Sequence, residues 1–108
     1  MKYTLHFLPE VEEDALSGYL WYENKAPGLG EDFLTIFYAC ASHIPSNPSL
    51  LPKVHGEFRR RLLRKFPFAI YFMVNNNQII VAGLFHCARD PGTVARKLRY
   101  RDRRKSSQ

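Results

Sequence analysis

The chain has few cysteines and no long apolar segment. It has two cysteines, Cys40 and Cys87, whereas a secreted domain that depends on disulfides usually has more. We therefore expect two reduced, buried thiols. The N-terminal apolar run stops at Pro9 and is followed by acidic residues, which is unlike a signal peptide. No apolar run approaches the roughly 18 residues that a transmembrane helix needs. We expect a cytoplasmic protein without membrane contact.

Internal repeats and the composition of a disordered chain are also absent. Hydrophobic residues make up 45% of the chain and aromatic residues 14%, which is too much for a chain that stays unfolded. A chain of 108 residues can bury roughly two-thirds of its extended surface as one domain. We predict a single compact domain.

Positive charge is scarce in the first half of the chain, and negative charge is scarce in the second half. Residues 1–52 contain seven Asp and Glu against two Lys, a net charge of −5. Residues 53–108 contain fourteen Lys and Arg against three Asp and Glu, a net charge of +11. This polarity predicts a cationic face that meets nucleic acid or an acidic protein segment.

The apolar pattern predicts an α+β domain of residues 1–100 with the element order β-α-α-β-β-β, in which a helical hairpin packs on a mostly antiparallel sheet. The predicted elements are a strand at Tyr3–Leu8, a helix from Pro9, a helix at Glu31–Ile44 and strands within Glu57–Phe66, Phe68–Val74 and Gln78–Cys87. The segment Ser46–Gly56 is predicted as a loop. A short helical turn is expected at Val94–Tyr100, and residues 101–108 are expected to be a frayed basic tail.

The helices are expected to form the core against the sheet. The predicted buried stripe of the first helix is Val11, Ala15, Tyr19 and Tyr22, with Leu16 and Leu20 at its margins. Trp21, Tyr22, Phe33 and Phe37 are expected between hairpin and sheet, and the alternative that Trp21 contacts a partner stays open.

Four short motifs resemble the RelE/ParE superfamily of bacterial type II toxin–antitoxin toxins. The motifs are W-Y-E at Trp21–Glu23, P-G-L-G-E-D-F at Pro27–Phe33, the spaced Arg59, Leu63, Phe66, Pro67 and Phe68, and H-x-x-R-D-P at His86–Pro91. The resemblance runs from about Tyr3 to Pro91. It implies a toxin that arrests bacterial growth, that is neutralised by a cognate acidic antitoxin, and that needs neither a cofactor nor a metal.

The superfamily has two functional branches. Toxins that resemble RelE cleave messenger RNA on the ribosome, whereas those that resemble ParE trap DNA gyrase on DNA and are associated with plasmid stabilisation. The combination of W-Y-E, F-P-F and R-D-P is similar to the ParE branch, so we favour a gyrase inhibitor. A ribosome-dependent endoribonuclease and a non-toxic basic nucleic-acid-binding module remain alternatives.

An endoribonuclease without a metal needs a base, a cation and an acid around the scissile phosphate. Arg59 and Arg61 lie two residues apart on a predicted strand and therefore share one face. His86 and Arg89 follow the last strand. These four residues are the catalytic candidates if the chain is a nuclease. No carboxylate or lysine is clearly placed as the base, and Lys53 and His55 are the only nearby substitutes.

The resemblance and the charge pattern together predict a surface that binds the target or the antitoxin. Its candidate residues are Leu20, Trp21, Tyr38, Arg59, Arg61, Arg64, Lys65, His86, Arg89 and Arg96. The alternatives are structural: the arginine run is also typical of a solvated sheet edge, and a lone histidine at a strand end is as often structural as functional.

Overall fold

A computed structural model describes residues 2–106, with only the backbone described for residues 104–106. The helices are α1 (Pro9–Lys25), α2 (Leu29–His43) and α3 (Pro91–Ser106), and the strands are β1 (Thr4–Phe7), β2 (Lys53–His55), β3 (Phe58–Leu62), β4 (Phe68–Asn75) and β5 (Gln78–His86). Two short 3₁₀ turns, Ile44–Ser46 and Pro48–Leu50, connect α2 to β2. None of the described helices is long and apolar enough to cross a membrane.

The five strands form one sheet in the order β1-β5-β4-β3-β2. β1 is parallel to β5, and the other neighbours are antiparallel. The hairpin of α1 and α2 covers one face, where Phe68 contacts the ring of Phe33. α3 covers β5 on the other face, where Gly83 faces Leu98. The expected α+β architecture with a helical hairpin on a mostly antiparallel sheet is therefore confirmed.

The turn between α1 and α2 is fixed by a carboxylate and two glycines. Glu23 accepts hydrogen bonds from the backbone N–H groups of Gly28, at 3.0 and 3.2 Å, and Gly30, at 3.0 Å. Gly28 has a φ of +88°, which other residues adopt at a cost. A Cβ on Gly30 would lie 2.7 Å from the carbonyl oxygen of Tyr19. These contacts explain why the W-Y-E and P-G-L-G motifs occur together.

An aromatic cluster joins the hairpin to the sheet. Tyr22 and Phe33 of the hairpin contact Phe66 and Phe68, with ring centroids 4.8 to 6.0 Å apart. Gly18 makes room for this packing, since a Cβ there would lie 2.4 Å from the Phe33 ring. Burial raises the pKa of the Tyr22 hydroxyl. The F-P-F motif thus supplies core residues.

An ion pair occupies the open edge of β5. β1 ends at Phe7, which pairs with Val81, so the following part of β5 has no neighbouring strand on that side. The carboxylate of Asp14 accepts a hydrogen bond from the Leu84 N–H at 3.1 Å, and the Arg101 guanidinium donates to the Ala82 carbonyl at 2.8 Å. Arg101 also binds both Asp14 oxygens, at 2.7 and 3.0 Å. This pair substitutes for the missing strand and links α1, β5 and α3.

The C-terminal region differs from the prediction. Residues 101–106, expected to be frayed, continue α3, because Val94, Leu98 and Arg101 are buried. Asp90 caps the helix by accepting the Thr93 N–H at 2.9 Å. Residues 107 and 108 lie outside the described residues. The predicted helical turn was therefore too short.

Three smaller expectations were also wrong. The segment predicted as a loop before β3 contains the 3₁₀ turns and the short strand β2. Cys87 is exposed rather than buried, whereas Cys40 is buried as expected. Trp21 is 57% exposed and is not part of the core, since Gly18 rather than Tyr19 continues the buried stripe of α1.

Candidate functional site

Cationic and aromatic side chains meet at the end of the sheet where β3 and β5 end and β4 begins. Phe68 at the start of β4 pairs with His86 at the end of β5, and the Cys87 N–H donates to the Pro67 carbonyl at 2.8 Å. The C-terminal half of α1 reaches the same end through Tyr22 and Phe68. We call this region the basic end and define it by Trp21, Lys25, Arg64, Lys65, His86 and Arg89.

A small cleft of about 170 Å³ lies within the basic end, and Trp21, His86 and Arg89 are among the residues that line it. The ammonium group of Lys25 lies 4.3 Å from the centroid of the Trp21 ring, and the Arg89 guanidinium lies 5.3 Å from the centroid of Phe85. Both cations therefore rest on aromatic rings. The structure thus brings together three of the residues predicted from the sequence.

His86 is held by local contacts. Its Nδ1 accepts a hydrogen bond from the Ala88 N–H at 3.0 Å, and its ring packs edge-to-face on Phe68 with a centroid distance of 5.2 Å. Since Nδ1 is the acceptor, the neutral ring carries its proton on Nε2. Among residues 2–106, no carboxylate forms a hydrogen bond with this imidazole. The arrangement presents Nε2 as a single donor.

The two arginines of β3 have different surroundings. They pair with Phe72 and Ile70 of β4, so their expected position on one face is confirmed. Arg59 donates to the Leu51 carbonyl at 2.6 Å and to the Ser49 carbonyl at 3.3 Å. Its guanidinium therefore holds the turn after α2. Arg61 Nε is buried and has no hydrogen-bond partner within the described part of the chain.

The remaining candidates lie at the basic end outside its cleft and on two other parts of the molecule. Arg64 and Lys65 are exposed in the turn between β3 and β4, and Lys65 has a φ of 71°. Leu20 and Tyr38 are each 51% exposed on the outer surface of the hairpin. Arg96 is exposed on α3 and donates to the Thr93 hydroxyl at 3.2 Å. The ten predicted residues therefore do not form one continuous surface.

The four nuclease candidates do not converge on one phosphate. Arg59 is bonded to backbone carbonyls, while His86 and Arg89 share the cleft at the basic end. Arg61 on β3 and His86 on β5 are separated by β4 and are offset by two residues along the strands. This corresponds to about 12 Å between their Cα atoms. Phe68 lies in the region between them. Among residues 2–106, no group of three or more His, Cys, Asp or Glu is placed to hold a metal ion.

The sequence reasoning missed a second cleft and one partner of Trp21. The cleft, about 390 Å³ in volume, lies between α3 and strands β2, β3 and β4, where His55, Phe58, Met73 and Arg99 are among its lining residues. Lys25 was not a candidate, although its spacing of four residues from Trp21 on a helix would have indicated the contact. No comparable signal marked the cleft, because it forms only where α3 packs against the sheet, which is a tertiary contact.

The element order and the two covered faces of the sheet agree with the fold that the sequence motifs implied. A chain of the solved structure described as the chromosomal ParDE TA system from P. aeruginosa superposes with a TM-score of 0.72. The superposition covers 79% of this chain and 96% of that chain, at 15% sequence identity, so it shows a shared fold. No family profile matches the sequence, and no curated protein matches it.

Proposed function

We propose that the chain is the toxin of a type II toxin–antitoxin system of the ParE kind, that it acts on DNA gyrase in the cytoplasm, and that a cognate acidic antitoxin neutralises it. One observation carries this proposal: the fold matches nearly the whole of a chain from a ParDE system. The motifs in the sequence point to the same branch. A fold alone does not define a function, so the surface must supply the rest.

The basic end is the surface that we assign to the gyrase complex. Trp21 is exposed, and exposed tryptophan and arginine side chains are the residue types most often responsible for binding energy at interfaces. Lys25, Arg64, Lys65 and Arg89 surround it with positive charge. Such a field accelerates association with an anionic partner, and a gyrase–DNA complex is strongly anionic.

The antitoxin is proposed to cover both the hairpin and the sheet. Flexible acidic segments that fold on binding can wrap a large surface and block it. We expect such a segment to contact Leu20 and Tyr38 on the hairpin and to reach the sheet near Arg59 and Arg61. Because the Arg59 guanidinium is engaged with the turn after α2, we expect the half-buried Arg61 side chain rather than Arg59 to pair with an antitoxin carboxylate.

Crosslinking of the cognate complex tests this antitoxin path. Contacts along α1, α2 and β3 are expected. Crosslinks confined to residues 46–52 would contradict it.

Controlled expression in bacteria tests the toxin proposal. Expression should stop growth and produce filamentous cells with an induced DNA-damage response, and the purified protein should inhibit supercoiling by gyrase. A rapid stop in translation with ribosome-dependent cleavage of messenger RNA would instead support the RelE-like alternative. Salt-sensitive nucleic-acid binding without growth arrest would support the basic binding module.

Variants at the basic end test the assignment of the surface. Trp21→Ala and Arg89→Ala should each reduce toxicity and gyrase inhibition, because each removes an exposed anchor. Arg99→Ala changes an exposed arginine of α3 on the opposite face and serves as the matched control. If both basic-end variants stayed as toxic as the control, the surface would lie elsewhere.

A further inference from the structure

The cleft at the basic end places an exposed aromatic ring over an apolar floor. The indole of Trp21 is 57% exposed and lines the cleft together with Phe68, Leu84 and Phe85. The Lys25 ammonium group lies 4.3 Å from the centroid of the indole, so the ring already carries a cation beside it. A planar group that enters this cleft can therefore stack on an aromatic ring.

Two hydrogen-bond donors stand beside this ring. The Arg89 guanidinium forms no hydrogen bond or ion pair with residues 2–106 and rests on the Phe85 ring. His86 presents Nε2 as a donor, since its Nδ1 accepts the Ala88 N–H. The Arg89 N–H donates to the His86 carbonyl at 3.0 Å, and this turn keeps both side chains in the cleft. They can therefore bind an anion without the loss of a contact that stabilises the fold.

The carboxylates near the basic end are already engaged. Asp14 lines the cleft, but its two oxygens bind Arg101. Glu23 accepts N–H groups of the turn after α1, and Asp90 accepts the N–H of Thr93. The lysine and arginine side chains of the basic end are exposed. The cleft and its surroundings therefore favour an anionic occupant.

We propose that the basic end binds single-stranded DNA, with one base stacked on Trp21 and its phosphate held by Arg89 and His86. A nucleotide carries a planar ring and an anion in one unit, which matches the contents of the cleft. The volume of about 170 Å³ suits one base rather than a helix or strand of a protein. Arg64 and Lys65 lie beyond the cleft, where the neighbouring phosphates would pass. Stacking combined with a cationic path is how proteins generally bind single strands.

Other occupants fit this arrangement less well. In duplex DNA the bases stack on each other, so none is available to Trp21. An acidic peptide supplies the anion, but it needs a second residue to cover the ring. A free nucleotide would fill the cleft and leave Arg64 and Lys65 without a phosphate.

This inference deepens the proposed function and rests on it for the source of the DNA. The basic end is the surface that we assign to the gyrase complex. The toxin would then hold the DNA of that complex directly, rather than gyrase alone.

The chain has a single tryptophan, which gives a direct test. Titration of the full chain with an oligothymidine of about ten nucleotides should quench the emission of Trp21, because a base would stack on the indole. The duplex of the same length and an oligoglutamate peptide should cause little quenching at equal concentration. Unchanged emission with the oligothymidine, equal quenching by the duplex, or tighter binding of the peptide would overturn the proposal.

Variants locate the binding, which is measured by the anisotropy of labelled oligothymidine. Trp21→Ala should weaken binding about tenfold without changing its salt dependence, and Trp21→Phe, which retains a ring, should weaken it less. Arg89→Ala should weaken binding and lower the slope of log K against log salt concentration by about 0.7, the share of one phosphate contact on a single strand. Arg99→Ala removes an equal charge on α3 and should change neither the affinity nor the slope.

The control decides whether the binding belongs to this site. All three positions are exposed, and circular dichroism checks that each variant is folded. If Arg99→Ala weakened binding as much as Arg89→Ala, the binding would be a diffuse effect of net charge and the assigned site would be wrong. An oligouridine that bound much more tightly than the oligothymidine would overturn the assignment to DNA.

Growth assays separate failure of this inference from failure of the proposed function. If the chain arrests growth and inhibits gyrase but its Trp21 emission ignores the oligothymidine, the DNA contact is wrong and the toxin proposal stands. If the oligothymidine binds through Trp21 and Arg89 but expression does not arrest growth, the DNA contact stands and the toxin proposal is wrong.

Discussion

Replacing Arg101 by methionine tests whether the C-terminal helix is an integral part of the domain. The side chains of Arg101 and Asp14 are only 10% and 11% exposed. Methionine is long enough to keep contact with the Phe85 ring, which the guanidinium now approaches to 5.1 Å. The substitution leaves the Asp14 carboxylate buried without its cation and removes the donor to the Ala82 carbonyl.

Removing one partner of a buried ion pair lowers the free energy of unfolding by about 3–5 kcal/mol. For a domain of this size, a loss of that magnitude lowers Tm by about 12–20 °C. Urea and thermal unfolding followed by far-UV circular dichroism measure the change. Arg99→Met, an exposed position on the same helix, should change the free energy of unfolding by less than about 0.5 kcal/mol.

A second variant and a second observable sharpen the result. Asp14→Asn/Arg101→Met removes the buried charge and should recover part of the lost stability, because the amide oxygen of the introduced asparagine side chain can still accept the Leu84 N–H. Hydrogen exchange at the Leu84 amide should accelerate in Arg101→Met. A loss below about 1 kcal/mol with unchanged Leu84 protection would refute the view that this pair closes the sheet edge.

Three further predictions concern the turns and the caps. Glu23→Ala removes the acceptor for the N–H groups of Gly28 and Gly30 and should cost about 1–3 kcal/mol in unfolding free energy; an unchanged urea midpoint would contradict it. Gly30→Ala should be more destabilising than Gly28→Ala in thermal unfolding, since only the former brings a Cβ within 2.7 Å of Tyr19. The pKa of Asp90 is lowered mainly by the hydrogen bond that its carboxylate accepts from the backbone N–H of Thr93. The ionised carboxylate therefore stabilises the fold at pH values above the pKa of an unfolded aspartate. This stabilisation is lost as the pH falls through the pKa of Asp90 in the folded protein. Asp90→Asn should make the free energy of unfolding depend less on pH below about pH 4. An unchanged pH dependence in that range would contradict this prediction.

The hairpin and the sheet were predictable because the residues that the motifs contain are the ones that build them. Glu23 and Gly28 form the turn, and Phe33, Phe66 and Phe68 form the aromatic cluster. For the same reason these motifs report on fold rather than on activity. Two exposed residues of the motifs, Trp21 and Arg89, lie at the basic end instead.

The position of Trp21 was not predictable from apolar spacing. The buried side of α1 continues through Gly18, because the ring of Phe33 occupies the space of a side chain there. A glycine adds nothing to an apolar pattern, so the stripe was assigned to larger neighbours. The tight contact across the hairpin, which decides the rotation of α1, is a tertiary effect.

The length of α3 was missed because its sequence reads as a solvated basic segment. Only Val94 and Leu98 give it an apolar side, and the third buried residue is a charged one, Arg101. The Asp90–Pro91 pair is an ordinary helix start, with a capping carboxylate and a proline in the first turn. The predicted helical turn began at Val94 instead, which shortened the helix at its start.

The bond between Asp14 and Arg101 joins positions 87 residues apart. During synthesis, the first helix leaves the ribosome long before its distant cation exists, and a nascent chain carries an uncompensated carboxylate beside a bare strand edge. The ion pair that closes the edge of β5 therefore cannot form until the segment that contains α3 has emerged from the ribosome.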